Sequence, residues 1–528
     1  MELKKQVGRL MIAGFKGTTM TEEIKRLIHD YHIGGVILFG RNIGTPEEIL
    51  KLTRSLQSEA KAAGYSTPLL ICIDQENGVV RRLGEGTTII PGAMLLGATG
   101  EVENARKAGF LTGKELKALG INWNLAPVVD VNNNPLNPVI SVRSFGEDAE
   151  KVSAFAMESM KGMQESGIAT TLKHFPGHGD TSVDSHLDLP VIAHGVDRLH
   201  EVELLPFKKC IASGADAIMT AHVYFPAFES EENTPATLSK SVITGLLRKE
   251  LGFEGVITTD CMEMDAIAKG IGTVNGAVKA VEAGVDLVMV SHIHHLQEQS
   301  ILKIVEAVEN GEMTAERITE SVRRIEAMIN EYITWEEIEN SSDVPSFVGS
   351  PEHVEQMLEV YKKGITLAHG KGESIRQDDK VLLIYPTNEY ATLVEDKRYA
   401  TIGMAEELKK VHPNVEVLEI IPADYAASIE GAVEKAEEYD RIVVLTLNAV
   451  KDPDQERLVH RLIDSGKPID VIAIRSPYDA ELFPKANRMI CTYEFTQTAF
   501  KVVSQYLVGK SEIRGKLPVT MPLDEILF

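Results

Sequence analysis

AIMTA at residues 217–221, VITTD at 256–260 and LVMV at 287–290 are the runs whose reading decides the fold. Each is short, apolar or β-branched, and separated from the next by a segment long enough to hold a helix. Working back toward the N-terminus, similar runs recur at Arg9–Phe15, Gly35–Gly40, Leu69–Asp74, Asn122–Ala126 and Thr170–His174, which makes eight in the first 290 residues. Between them lie stretches of helical period, among them Glu47–Ala62, Glu101–Ala118, Ala149–Ser166 and Val196–Ser213. Strand alternating with helix implies a parallel sheet, and eight repeats are the number that closes a (β/α)8 barrel. A doubly wound open sheet follows the same alternation, so counting alone leaves it as the rival.

Past the eighth run, Thr314–Ile333 reads as one long helix, with Thr314 at the N-cap and Glu316 and Glu320 near its positive end. Glu339–His353 is rich in Ser, Pro and acidic residues, the composition of a linker. The alternation restarts after Lys380 with VLLIYP, VEVLEI, IVVLTL and VIAIRSP, and helical segments such as Gly431–Tyr439 and Asp454–Ser465 fall between them. The expected organisation is a barrel domain over residues 1–338, a linker over 339–353 and a smaller layered α/β domain with an open sheet over 354–528. No internal repeat or low-complexity tract is evident.

Composition narrows the function. The chain has 528 residues, 44% of them hydrophobic and 25% charged, which is ordinary globular material. Lys and Arg number 54 against 78 Asp and Glu, a net charge of −24. That excess repels phosphate backbones and anionic lipid surfaces, so neither nucleic acid nor a membrane is an expected partner. The four cysteines, Cys72, Cys210, Cys261 and Cys491, are far apart with no CxxC pair, which argues against a disulfide framework and a cysteine-based zinc site. The N-terminal stretch MELKKQVGRLMIAGFKG is broken by Gly14 and Lys16 before it reaches the length of a secretory apolar core. No apolar run approaches the ~20 residues needed to span a bilayer. A soluble, cytoplasmic protein is expected.

The densest polar stretch is TLKHFPGHGDTSVDSHLDLP, Thr171–Pro190, which leaves the end of a strand and carries Lys173, His174, His178, Asp180, Asp184 and His186 within fourteen residues. Gly177 and Gly179 let the chain turn sharply there. Two chemistries compete for such a set, a His/Asp metal site and an acid/base site. Asp184 stands two residues before His186, where a carboxylate orients an imidazole and raises its basicity. Metal spacing is the poorer fit, since Pro176 and the glycines break any helix that would align HxxxH ligands. Met219 and His222 suit the core equally well, and His292, His294 and His295 suit surface or supporting positions.

Lys173-His174-Phe175-Pro176-Gly177-His178-Gly179, followed by Asp184-Ser185-His186, resembles the signature of family 3 glycoside hydrolases of the β-N-acetylglucosaminidase type. Its Asp-Ser-His end is the part that separates these enzymes from the β-glucosidases of the family. ICIDQENGVVRRL resembles another of the family's stretches, although Asn77 stands where the family usually has glycine and Val79 where it often has arginine. NLAPVVDV (Asn124–Val131), SVRSFG (Ser141–Gly146), AHVYFPAF (Ala221–Phe228), PATLS (Pro235–Ser239) and GVITTDCMEMDAI (Gly255–Ile267) are similar as well. The resemblance covers residues 5–335, and GKLPVTMP (Gly515–Pro522) is similar to the close of two-domain members.

The resemblance implies roles residue by residue. Asp260 would be the nucleophile, His186 the general acid/base and Asp184 its dyad partner. Asp74, Arg82, Arg143, Lys173 and His174 would hold the sugar. The implied activity is a retaining exo-β-N-acetylglucosaminidase, acting on cell-wall muropeptide fragments, with no metal and no redox cofactor. A glycoside phosphorylase or β-glucosidase of the same family, a metal-dependent barrel hydrolase and a non-catalytic sugar-binding protein are the alternatives. Oligomeric state is not legible in the sequence.

Overall fold

The computed structural model describes residues 2–340, 343–387, 395, 403–421 and 424–521. Eight strands form the first sheet: β1 Met11–Ala13, β2 Gly35–Leu38, β3 Leu70–Ile73, β4 Trp123–Asn124, β5 Thr171–Phe175, β6 Ala217–Thr220, β7 Val256–Cys261 and β8 Leu287–Val290. All neighbouring pairs are parallel, in the order β4-β3-β2-β1-β8-β7-β6-β5. The circle closes where Trp123 bridges Ala169 and Val128 bridges Lys173, so the barrel and not the open sheet is realised. Strands covered on both faces need no alternation, which is why their sequences read as continuous apolar runs.

Around the barrel, Val102–Ala118 and Ala149–Glu165 form the most intimate helix pair. A Cβ on Gly109 would come within 2.3 Å of the Ser159 carbonyl oxygen, and one on Gly162 within 2.1 Å of that of Arg106, so glycine at both positions lets the backbones touch. The strand bases are tied by two carboxylates, Asp286 fully buried and Asp216 half-buried. Asp216 accepts from the Thr170 N–H (2.9 Å) and the Tyr332 hydroxyl (2.6 Å), and Asp286 accepts from Ser321 (2.6 Å) and Arg324 (3.1 Å). Both partners Tyr332 and Arg324 come from the long helix Ala315–Tyr332, whose N-cap Thr314 accepts the Arg317 N–H. Polar groups at this end therefore secure the barrel, and the chemistry is left to the opposite mouth.

One expected helix is two. Val196–Ser213 breaks into Val196–Glu201 and Leu205–Ala212. Pro206 lacks an N–H and its ring would clash with the carbonyl four residues back, so it is accommodated only in the first turn of a new helix.

The second sheet holds β9 Thr366–Gly370, β10 Val381–Pro386, β11 Val415–Ile420, β12 Arg441–Thr446, β13 Ile469–Ala473 and β14 Arg488–Cys491, in the order β11-β10-β12-β13-β14-β9. It is parallel except for β9, which runs antiparallel to β14. The edge strand β11 exposes Glu416 and Glu419, charges that discourage further strand pairing. Of residues 339–353, the first two end a helix that starts at Trp335 and the last three begin the helix Pro351–Gly364, whose N-cap Ser350 accepts the His353 N–H. The two cores meet where Val79, Val80, Met94, Leu95, Ala98 and Val142 of the first half pack in the hydrophobic cluster of the second. Residues 515–520 run back across the barrel domain, with Lys516 N–H on the Ala98 carbonyl (2.9 Å) and Thr520 N–H on Glu147 (2.8 Å). Pro522, the last residue of the GKLPVTMP stretch, lies outside the described residues. Among the described residues no helix is long and apolar enough to cross a membrane.

Candidate active site

The C-terminal ends of the barrel strands open into a cavity of about 680 Å³. Its polar lining includes Asp74 just past β3, Lys173 and His174 on β5, Asp260 on β7, and Arg82, Arg143 and His186 from the connecting loops.

One side is a buried ion cluster. Lys173 Nζ lies 2.8 Å from Asp74 and 2.6 Å from Glu76, and Arg143 grips both oxygens of Glu76 at 2.8 Å. Burial pushes the Glu76 carboxyl up, but Arg143 and Lys173 outweigh it and hold the group ionised far below the usual carboxylate range. Burial likewise works against the Lys173 ammonium, and Asp74 and Glu76 more than restore it. Charges this deeply buried persist only when paired and geometrically fixed. The cluster is thus a rigid array of donors and acceptors on the cavity wall.

A second feature of the lining is a carboxylate–imidazole pair. His186 Nδ1 sits 2.7 Å from Asp184 Oδ1, and the same oxygen accepts the His186 backbone N–H at 2.9 Å. Burial lowers the His186 pKa, but the bond to Asp184 and the charges of Asp260 and Asp184 carry it above the ordinary imidazole value. Its neighbours go the other way. Burial pushes His178 down to about 4 and also lowers His222. His186 is the imidazole here that its surroundings favour as a proton carrier, and opposed shifts of this kind mark acid/base assignments.

Asp260 lies at the end of β7, with Oδ1 accepting the Cys261 N–H at 2.7 Å. Burial raises its pKa, and His222, His174 and His186 together bring it below the ordinary aspartate value. An ionised, sparsely hydrogen-bonded carboxylate lining a sugar-sized cavity is chemically suited to attack an electrophilic carbon.

The description "Glycosyl hydrolase family 3 N terminal domain" matches residues 2–328. The chain belongs to glycosyl hydrolase family 3. Beta-hexosaminidase A of Pseudoalteromonas piscicida is 32% identical over 96% of this chain and 92% of its own length. The beta-hexosaminidase of Xylella fastidiosa (strain M23) is 37% identical over 54% of this chain and 83% of its own. A glycoside hydrolase family 3 beta-N-acetylglucosaminidase from Paenibacillus sp. str. FPU-7 superimposes with a TM-score of 0.93 at 39% identity, covering 99% of both chains. The protein is a glycoside hydrolase.

In this family 3 enzyme, Asp74, Arg82, Arg143, Lys173, His174, His186 and Asp260 all line the one cavity, and Asp184 stands behind His186. Met219 also faces it, whereas His222 is buried, 2.8 Å from the Thr237 hydroxyl and 3.0 Å from the Cys261 carbonyl. His292 reaches the rim, where Arg41 lies 3.0 Å from its Nδ1; His294 and His295 begin the next helix. Asn77 adopts φ +72°, a conformation asparagine tolerates in glycine's place, and its amide donates to Thr112 at 3.0 Å.

Two carboxylates were missed. Glu76 anchors Lys173 and Arg143, and Asp130 accepts His174 Nδ1 at 2.8 Å and the His178 N–H at 2.7 Å. Glu76 follows the end of β3 and Asp130 lies in the segment that leaves β4, within the quoted ICIDQENGVVRRL and NLAPVVDV, so an acidic residue downstream of a strand was the available signal.

Two groups have metal-ligand composition among the described residues, Cys261–Glu263–His292 and Asp180–His194–Glu203. Glu263 already accepts the backbone N–H groups of Ser291, His292 and Ile293 at 2.7–2.8 Å, and burial pushes the Cys261 thiol up to about 12. Glu203 is held by Arg198 and Asn133 at 2.8 Å. Arg41 and Arg198 place a guanidinium where a resident cation would compete, so neither donor set fits one.

Proposed function

We propose that this enzyme is a retaining exo-β-N-acetylglucosaminidase that removes terminal β-linked N-acetylglucosamine, with Asp260 as nucleophile and the His186–Asp184 pair as acid/base. The observation that carries the reading is the 2.7 Å Asp184–His186 contact on the wall of the cavity that also holds Asp260. The likeness to the Paenibacillus beta-N-acetylglucosaminidase and to the curated beta-hexosaminidases supports the choice of sugar.

Asp260 attacks the anomeric carbon as His186, with Nδ1 held by Asp184, gives a proton from Nε2 to the departing oxygen. A covalent glycosyl-enzyme forms. The now neutral His186 takes a proton from water, which attacks the same carbon and releases the sugar and Asp260. Asp74, Arg82, Arg143, Lys173 and His174 offer the fixed hydrogen-bonding array that holds the ring. An imidazole acid places no second negative charge beside an anionic leaving group such as a muramyl carboxylate. Cell-wall fragments of the GlcNAc-MurNAc kind, met in the cytoplasm during wall recycling, are the substrates whose leaving group favours this arrangement.

The deciding assay compares 4-nitrophenyl β-N-acetylglucosaminide with the β-glucoside, with and without EDTA. The acetamido sugar is cleaved at least ~100-fold faster, in line with the discrimination polar recognition of a substituent gives, and EDTA leaves the rate unchanged. Equal rates would remove the acetamido specificity, and loss with EDTA would restore the metal-dependent reading.

The pH profile supplies a second check. A general acid works only while protonated, so kcat/KM declines as pH rises through the His186 pKa, which Asp184 and Asp260 hold above the ordinary imidazole value. Asp184→Asn removes the charge and the strongest acceptor that raise that pKa, so the alkaline limb moves to lower pH. A limb that stays in place would separate the profile from this pair.

A further inference from the structure

The loop carrying Asp184 and His186 leaves β5 at Phe175, and its first turn is held by the segment that follows β4. Asp130 accepts the backbone N–H groups of His174 (3.2 Å) and His178 (2.7 Å). Asn134 Nδ2 donates to the Thr181 carbonyl at 3.3 Å, and Asn137 Nδ2 donates to the carbonyls of His178 (3.0 Å) and Gly179 (2.8 Å). A Cβ on Gly179 would lie 1.7 Å from the Val131 carbonyl oxygen, so the two backbones are in direct contact. Asn137 is 1% exposed, and its Oδ1 accepts the N–H groups of Val139 and Ile140, both at 2.8 Å. Its amide is therefore fixed in one orientation with every partner in place.

The far side of this segment is gripped by the C-terminal half. Asn132 Nδ2 donates to the buried Tyr478 hydroxyl at 3.0 Å, and Lys451 Nζ donates to the Leu136 carbonyl at 3.0 Å. Asp479, next to Tyr478, accepts the Val450 N–H at 3.0 Å, so both grips belong to one corner of that half.

We propose that residues 130–137 are a clasp through which the C-terminal half sets the position of the acid/base loop, with Asn137 as a positioning residue for His186. The proposal rests on the acid/base reading of His186. A proton donor must sit within hydrogen-bond reach of the leaving oxygen, and displacement by about 1 Å costs on the order of 100-fold in rate. The loop cannot supply that precision alone, since it is polar, turns at Gly177, and His186 is partly exposed.

The test compares kcat/KM, which reports the glycosylation step, on phenyl and 2,4-dinitrophenyl β-N-acetylglucosaminides. The variants are Asn137→Ala and the double change Tyr478→Phe with Lys451→Met, each in the wild-type and His186→Ala backgrounds. Asn137→Ala is expected to lose about 10–100-fold on the phenyl glycoside and under about 3-fold on the dinitrophenyl one, whose leaving group needs no proton. The double variant, which removes only the grip, loses several-fold in the same pattern with its thermal midpoint within a few degrees of wild type. In the His186→Ala background neither change costs anything further. Equal losses on both substrates, or the full loss persisting without His186, would overturn the clasp. If His186→Ala itself treats the two leaving groups alike, the acid/base reading falls and takes this proposal with it; if it discriminates and the clasp variants do not, the clasp alone falls.

Discussion

Asp260→Ala is expected to lower kcat by on the order of 10⁴-fold or more, because it removes a covalent step for which no neighbouring group can substitute. His222 and His174 beside it are imidazoles, and Asp74 is tied to Lys173 across the cavity. The fold should survive. Asp260 Oδ1 accepts one close bond, from the Cys261 N–H, and leaving that donor unpaired costs about 1–3 kcal/mol, so the thermal midpoint drops by a few degrees and cooperativity is retained. Asp260→Asn keeps an acceptor for the same N–H and separates the two effects, since it restores the midpoint and leaves turnover absent. A 5-fluoro N-acetylglucosaminyl fluoride should trap the wild-type intermediate, with the label found by peptide mapping on Asp260. A label on another carboxylate would move the assignment, and full burst kinetics in Asp260→Ala would end it.

The barrel was legible because its signal is redundant. Eight apolar runs alternating with helical periods leave few architectures, and runs covered on both faces look the same wherever they start. Boundaries were less so: the run expected over Arg9–Phe15 pairs only at Met11–Ala13, because ladder length depends on neighbours and not on the apolar run itself. The second sheet's β9 and β14 went unread for a related reason. TLAHG and RMIC are short and mixed in polarity, and only pairing with each other and with β13 makes them strands. At the site, residues with a catalytic motif around them were visible, and residues that act by bracing were not. Glu76 and Asp130 are unremarkable in the sequence until Lys173 and His174 on β5 and Arg143 from its loop are seen converging on them. Asn137-Pro138 marks a turn, but nothing in the sequence marks Asn137 as a brace, since that role depends on the His178 and Gly179 carbonyls, which only the folded loop brings within reach.

His186→Ala should separate the two half-reactions. Glycosylation of a poor leaving group needs a proton, so kcat/KM on the phenyl glycoside is expected to fall by about 10²–10⁴-fold, the usual worth of a positioned acid. Dinitrophenolate departs unprotonated, and kcat/KM on that substrate should change little. Its kcat should still fall, because the second half-reaction has lost the base that activates water, and the glycosyl-enzyme then accumulates as a burst of dinitrophenolate. Azide attacks that intermediate without needing a base, and removal of the imidazole opens room beside the anomeric carbon. Added azide should therefore raise kcat on the dinitrophenyl substrate and yield the β-glycosyl azide, the configuration that two inversions give. Asp184→Asn should follow the same pattern more weakly, since it spares the ring and removes only the charge that orients and protonates it. If azide gives no rescue and both leaving groups suffer equally, His186 binds the sugar and does not move its proton. The donor would then have to be another group facing the cavity, and Glu395, which the C-terminal half places in its lining, is the first carboxylate to replace.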